Sequence, residues 1–569
     1  MKKTALLVGL MLAGAAMAQT KNPGTLINVS ISDWSSFDPA HCYDTACAEV
    51  LQNTLETLYF PKGTSSTQFA PLLAASMPTI SNGGKTYTIK LNTKARFSDG
   101  SPVTAADVKY SIARQVLMST DDGPAALLLE PLLGDAAPLK KDDAAAFDRV
   151  DKAIQTRGND TVIFNLAKPF APFVSALAHN AASIYSKKAA VAAGEWDGTK
   201  ASWAKFNNAP LGESKYANVT PLGSGPFVLQ RYDKGQQVVL AKNAKYWRAP
   251  AKLNVVVLKR VDEPATAVQM LRTGDADQIG VGAYPRNQIK NFQGLPGVKV
   301  IDNVSTLVLQ AMFMNFNIKG TNYLGSAKMD EKGIPANFFS DVNVRRGFAA
   351  SFDYQTFIKD QLLGAGTQTN TVLVKGLAGY TNSLKYKFDR TAATNYFKKA
   401  WGGKLWDAGF TVPVFYNSGN ANRQKAAEIL KRNIEAINPK FHVDVREAQF
   451  SSILADAAAK RMTVWMLGWQ ADYADPHNFA QPFLASTGNY PQNTGYKNAR
   501  VDALINQAVA TTDPAKRTAL YKQIEQIGFN DVAEVPLWQG ISYTVQRDWV
   551  KGRVLNPLYS GDYYYYTSK

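Results

Sequence analysis

Three observations predict an α/β fold in which mixed sheets are flanked by helices. Between Thr411 and Trp469, strand-type alternation and helical periodicity follow each other as β-α-β-α-β. The chain has 569 residues, too many for one hydrophobic core, so it should divide into two to four lobes. Its hydrophobic fraction of 46% places it among ordinary globular proteins rather than disordered or membrane-spanning ones.

The elements follow in chain order. Lys2 and Lys3 begin a basic start, Thr4 to Met17 is apolar but short, and Ala16-Met17-Ala18 has the A-x-A cleavage pattern. This predicts a signal peptide over 1–18 and a soluble, periplasmic or otherwise extracytoplasmic mature chain. The residue immediately after the cut is Gln19 rather than cysteine, which argues against a lipoprotein. TLINVSIS then reads as a strand. Asp38-Pro39 marks a turn, and Val50, Leu51, Leu55 and Leu58 fall on one face of a helix from Ala46 to Leu58. Cys42 and Cys47 are the only cysteines; in an oxidising compartment they predict a disulfide across a small loop. KTYTIKL is a strand, and Thr104 with Asp107 forms a capping box in which Asp replaces Glu, opening a helix to about Leu117. Ser119 to Phe147, rich in Ala, Asp and Pro, reads as a surface insertion. TVIFNL and the segments after PLGSGPF continue as strands.

In the 411–469 region, VPVFYN, FHVDVRE and TVWMLGW are the strands. Ile429, Leu430, Ile434 and Ile437 share one sector of the first helix, and FSSILADAAAK forms the second. Ligands of such sheets bind beyond the carboxyl ends of strands. One such end carries LGWQADYADPHNF, with two aspartates three residues apart. Asp475 precedes Pro476, the sequence of an N-cap and first helical position. Asp472 has no such local use. It is either a solvated loop carboxylate or a ligand group.

The formal charge is +17, or +15 once Lys2 and Lys3 leave with the signal. The lysines are scattered and no nucleic-acid motif accompanies them, so a solvated basic surface is expected and nucleic acid is not a predicted partner. The four histidines show no metal-ligand spacing, and no metal or cofactor is predicted. Neither G-x-S-x-G nor a zinc signature is present, so an enzyme using Asp472 and Asp475 as a hydrolytic pair is not favoured.

An ordered set of motifs resembles the extracellular solute-binding proteins of family 5, the peptide- and nickel-type components of ABC importers. These are SSFDPA, TYTIKLNTKARFSDGSPVTAADVKYSI, PLGSGPF, NAKYW, LRTGDAD, MNFN with DVNVRRGFAASFD, GWQADYADP and NTGYKN, covering almost the whole mature chain. Three features depart from the family pattern: Val344-Arg345-Arg346-Gly347, the cysteine pair, and the insertion around Asp121 to Asp143.

The resemblance implies a type II bilobal periplasmic-binding fold with a hinge and an extra subdomain. Lobe 1 would comprise 19–55, 217–304 and 536–569, the subdomain 56–216, and lobe 2 305–535. It implies a monomer that encloses a short extended peptide and delivers it to membrane permease subunits. Asp472 would receive the peptide α-ammonium. Tyr43, Asp44 and Thr45 would form the opposite wall, and Gly468, Trp469, Gln470 and Ala471 would supply strand-like contacts. Asn493, Thr494 and Trp538 are further implied ligand residues, although core packing would equally explain Trp469 and Trp538. A nickel chelate, an oligosaccharide or a sensory role remains an alternative on the same fold.

Overall fold

The structure, a computed structural model, describes residues 20–120, 123–369, 371–418 and 420–569. The expected signal segment and Asp121 lie outside these residues. Ten strands form one path: β1 (Thr25–Ser30), β2 (Phe227–Asp233), β3 (Gln237–Lys242), β4 (Val255–Arg260), β5 (Gln278–Ile279), β6 (Val298–Met314), β7 (Phe410–Asn417), β8 (Phe441–Ala448), β9 (Val464–Gln470) and β10 (Val535–Arg547). Their order is β8-β7-β9-β6-β10-β5-β1-β4-β3-β2.

One half is built on β1 to β5. β1 lies parallel to β4, and β4, β3 and β2 continue antiparallel. Helix α1 (Thr45–Thr54) starts where Asp44 accepts the N–H groups of Ala46 and Cys47. It stops four residues short of the expected Leu58. Leu55 is extended, and the next residue, Glu56, bridges to Ile184 while its carboxylate accepts from Tyr246 and Trp247. Helix α2 (Ala105–Met118) begins with the predicted reciprocal capping box of Thr104 and Asp107. A separate four-stranded antiparallel sheet spans Thr79–Ser81, Thr86–Lys90, Thr161–Asn165 and Ile154–Arg157.

The expected surface insertion is corrected in part. Its ALLLEPLL segment forms α3 (Ala126–Leu133), which buries Leu128, Leu129 and Leu132 in the same core as α1 and α2. The polar composition around it had masked this apolar run.

The other half has the predicted β-α-β-α-β arrangement. β7 is parallel to β8 and β9, and α4 (Ala421–Glu435) and α5 (Phe450–Ala458) make the crossovers. α4 buries Ala426, Ala427, Ile429, Leu430 and Ile434. The long strands β6 and β10 run through both halves. Their register breaks between Ile301 and Val304, Ser305 and Leu309, and Gln310 and Ala311. Such bulges bend a sheet, and here they lie where it passes from one half to the other. The halves also touch away from these strands: Ala171 N–H donates to Val509 C=O (3.0 Å), and Lys168 Nζ donates to Asn506 Oδ1 (2.6 Å).

Cys42 and Cys47 are disulfide-bonded, joining the Asp38 turn to the first turn of α1 around Tyr43 and Asp44. Closing so short a loop contributes about 2 kcal/mol on the chain-entropy relation. Urea unfolding with and without reductant should therefore show a lowered midpoint in the reduced protein. An unchanged midpoint would mean that the cross-link adds no stability.

Candidate functional site

β9 pairs with β6 on one edge, matching Gln310 with Gly468 and Val308 with Gln470, and Ala471 N–H donates to Leu307 C=O (3.0 Å). In an antiparallel ladder the backbone groups of alternate residues turn to the same edge. Trp469 and Ala471 therefore face β6, and Gly468 and Gln470 face the opposite edge. β7 covers that edge only at Val464 and Trp465. From Gly468 onward it is open among the described residues, apart from Tyr490 OH, which donates to the Gly468 carbonyl at 3.0 Å from α7, numbered after α6 (His477–Leu484) and spanning Asn489–Thr494.

Asp472 stands just beyond this edge, its side chain 8% exposed. Its Oδ2 accepts from Asn478 Nδ2 (2.9 Å) and, across the crevice, from Tyr43 OH (3.2 Å). Asn478 Oδ1 in turn accepts from Asp472 N–H (2.8 Å) and Trp469 Nε1 (3.2 Å), so α6 fixes the loop. His179 Nε2 lies 3.7 Å from Asp472 Oδ1. However, His179 Nδ1 accepts the Ala181 N–H (3.1 Å) and so carries no proton. The ring is neutral, and burial acts in the same direction by lowering its pKa. Among the described residues, then, no cation balances Asp472. Burial lifts its carboxyl above the ordinary carboxylate range, against the nearby His179 ring and the hydrogen bonds from Asn478 and Tyr43. The recess beside it, shared with His179, Gln52 and Tyr559, has a volume of about 20 Å³, room for one water-sized group.

Asp475 is employed differently. Its carboxylate meets Arg517 with two bonds of 2.6 Å and accepts His477 N–H (2.8 Å) at the start of α6. It therefore fixes that helix, and the two aspartates do not act as a pair.

At the Gly468 end lies the complementary charge. Arg423, in the first turn of α4, is 9% exposed. Its Nε donates to Gln310 Oε1 (3.0 Å) and its Nη1 to Asn417 Oδ1 (2.6 Å). No carboxylate among the described residues pairs with it. Burial pulls its pKa down to about 10, which leaves it cationic at neutral pH. Gly468 leaves room for the Gln310 amide that holds Arg423, because a Cβ would lie 2.4 Å from that amide and displace it. An unbalanced anion and an unbalanced cation thus flank one open strand edge. Asp472 lies four positions after Gly468, roughly 13 Å in extended chain. Beside Gln470 the crevice widens into a chamber of about 280 Å³ that reaches Ser30, Thr45, Glu49, Ser542 and Tyr559.

Residues 68–491 match the family model of the bacterial extracellular solute-binding proteins, family 5 (middle region). The chain belongs to this family. The solute-binding protein is 28% identical over 554 residues to the probable D,D-dipeptide-binding periplasmic protein DdpA of Escherichia coli K12, covering 96% of this chain and 92% of that one. It is 26% identical to heme-binding protein A of Haemophilus influenzae, covering 91% and 86%. Its fold is that of solved bilobal binding proteins. The dipeptide-binding protein of Pseudoalteromonas sp. SM9913 in complex with Met-Leu superposes with TM-score 0.75 at 18% identity, covering 96% and 100% of the chains. The DppA periplasmic binding protein of Helicobacter pylori with peptide STSA gives 0.73 at 23%, covering 96% and 98%.

Within this solute-binding protein the expected site residues divide. Asp472, Tyr43, Gly468 and Gln470 converge on the open edge, and Thr45 lines the chamber. The Asp44 carboxylate is committed to capping α1 and to Ser35 Oγ. Trp469 and Ala471 turn their backbone groups to β6, so they are not free strand contacts. The Trp469 ring packs near Tyr490 and Phe483. Trp538 is core: it is 4% exposed, with its ring 4.5 Å from that of Phe357. Thr494 is buried and its carbonyl accepts Phe316 N–H (2.7 Å), past the far end of β6. No hydrogen bond among the described residues carries Asn493 to Asp472. Their helix serves the site through Tyr490 instead. Sequence reasoning missed Tyr490, His179, Asn478 and Arg423.

Proposed function

We propose that this solute-binding protein captures free peptides of two or three residues and presents them to an ABC permease, acting as an extracytoplasmic monomer after removal of residues 1–18. The observation that carries the reading is the buried Asp472 carboxylate, which has two neutral hydrogen-bond partners, a neutral histidine 3.7 Å away and, among the described residues, no cation. A peptide α-ammonium supplies the missing charge through charge-assisted hydrogen bonds and matches the small recess. The peptide would add as a strand to the open edge, bonding to Gly468 N–H and to Gln470 N–H and C=O. Its α-carboxylate would reach Arg423. Allowing one hydrogen bond at each end, the roughly 13 Å span leaves about two extended residues. Backbone bonding satisfies the buried peptide groups without regard to side chains. The lobe and subdomain boundaries given by the sequence belong to the same reading, with closure about β6 and β10.

The test is a thermal-shift comparison of a di- and tripeptide pool with the same pool N-acetylated. Free peptide at about 100 times its Kd should add roughly 2.7 kcal/mol. Equal shifts from both pools would reject the amine receptor. Shifts only with sugars or metal chelates would give the crevice to another solute.

A further inference from the structure

We propose that Glu49 selects ligands whose first residue carries a long cationic side chain, such as lysine or arginine, by receiving that cation in the chamber beside Gln470. This inference rests on the reading of a peptide bound with its amine at Asp472. Glu49 lies on α1 and is 5% exposed. Its Oε1 is occupied, accepting from Tyr564 OH (2.7 Å) and Asp562 N–H (3.0 Å). Among the described residues Oε2 accepts no hydrogen bond, and Glu49 is part of the wall of the 280 Å³ chamber.

The charges around it do not cancel. Arg553 is engaged with Asp562 by bonds of 2.7 and 2.8 Å, and Gln278 also donates to Asp562. One guanidinium therefore faces two carboxylates, with Glu49 the member left over. Burial and the neighbouring Asp562 charge hold the Glu49 carboxyl above the usual range. A cation arriving in the chamber would counteract both by favouring the charged carboxylate.

The chamber suits such a guest. Apart from Glu49, its wall carries no formally charged side chain among the described residues, and Ser30, Ser32, Thr45, Ser542 and Asn556 offer hydroxyl and amide groups. Tyr559 lines both this chamber and the recess at Asp472, so the two adjoin. In the proposed pose a side chain leaving the first residue would pass Tyr559 to reach Glu49. Gly561 packs directly on the carboxylate, since a Cβ there would lie 2.7 Å from its oxygens, and this keeps Glu49 from swinging away.

The experiment is calorimetric titration with Lys-Ala and with norleucyl-alanine, which has a similar chain length but no charge. The wild-type protein should bind Lys-Ala at least about tenfold more tightly, and Glu49→Gln, which keeps the bonds to Tyr564 and Asp562, should bring the two within about twofold, a separation of roughly 1 kcal/mol. Equal binding by the wild type, or a preference for norleucine, would overturn the proposal without any variant and leave the amine receptor standing. An undiminished preference in Glu49→Gln would assign the selectivity elsewhere and also overturn it. If neither dipeptide binds, the peptide reading itself fails, and the role of Glu49 with it.

Discussion

Asp472→Asn should weaken binding of free dipeptides by roughly 30-fold to a few thousandfold, equivalent to about 2–5 kcal/mol, while leaving the fold intact. The substitution preserves shape but removes the charge that the ammonium needs. It also points an amide N–H₂ among groups that are themselves donors, Tyr43 OH, Asn478 Nδ2 and the Nε2–H of neutral His179. Binding should fall with pH in the wild type as well. Burial raises the Asp472 carboxyl above its ordinary value, so a proton competes with the ammonium at a higher pH than for a surface aspartate. Affinity is full where the group is ionised and is lost as pH falls through the raised value. In Asp472→Asn that pH dependence should be largely absent. Titration calorimetry across neutral to mildly acidic pH measures both effects, and a variant that binds free and N-acetylated peptide as the wild type does would remove Asp472 from the site.

How far the sequence revealed this site depends on how local each signal was. The strand-helix alternation of 411–469 is periodic and contiguous, and it appears in the structure as read. Asp472 was legible because its neighbour Asp475 had an evident local task and it did not. Arg423 was not legible. In ANRQKAAEIL it is one of several basic residues at the start of a helix, and only the packing of α4 on β7, β8 and β9 brings it to Gln310 and buries it with no carboxylate partner among the described residues. His179 comes from a loop almost three hundred residues from Asp472 in sequence, and no periodicity announces such a meeting. Trp538 and Thr494 erred in the opposite direction. Their motifs mark the family, but a family motif records a fold position as readily as a ligand contact, and both residues proved to be packed. Tyr490 was hidden for a related reason: in a short helix, one turn decides which side chain reaches the strand.

The SSFDPA turn leads to the second large effect. Asp38 is fully buried and accepts two bonds from Arg114 (2.7 and 2.8 Å), while Arg114 also donates to the buried Glu195 (2.7 Å). Arg114→Met should destabilise the protein by about 3–5 kcal/mol, because it leaves two buried carboxylates without their cation. The pH dependence distinguishes this from a simple packing loss. Burial alone pushes the Asp38 carboxyl up, but the charge and hydrogen bonds of Arg114, with those from Ser214 and the Ala40 N–H, hold it down at about 2. A depressed carboxyl contributes stability above its unfolded pKa, near 4, and that contribution, about 2 kcal/mol, is lost as pH falls through about 2. Without Arg114 only the bonds from Ser214 and the Ala40 N–H oppose burial, the largest effect, and the sign reverses, so the variant should gain stability as pH falls from 7 towards 4, relative to the wild type over the same range. Denaturant midpoints at several pH values measure this; parallel curves for the two proteins would refute the charge argument. The consequence reaches the crevice, because Asp38 also organises the turn itself. Its carboxylate accepts the Ala40 N–H and its carbonyl accepts the N–H groups of His41 and Cys42, immediately before Tyr43. A loosened turn would release Tyr43 from Asp472, so peptide affinity should fall in Arg114→Met even under conditions where the variant remains folded.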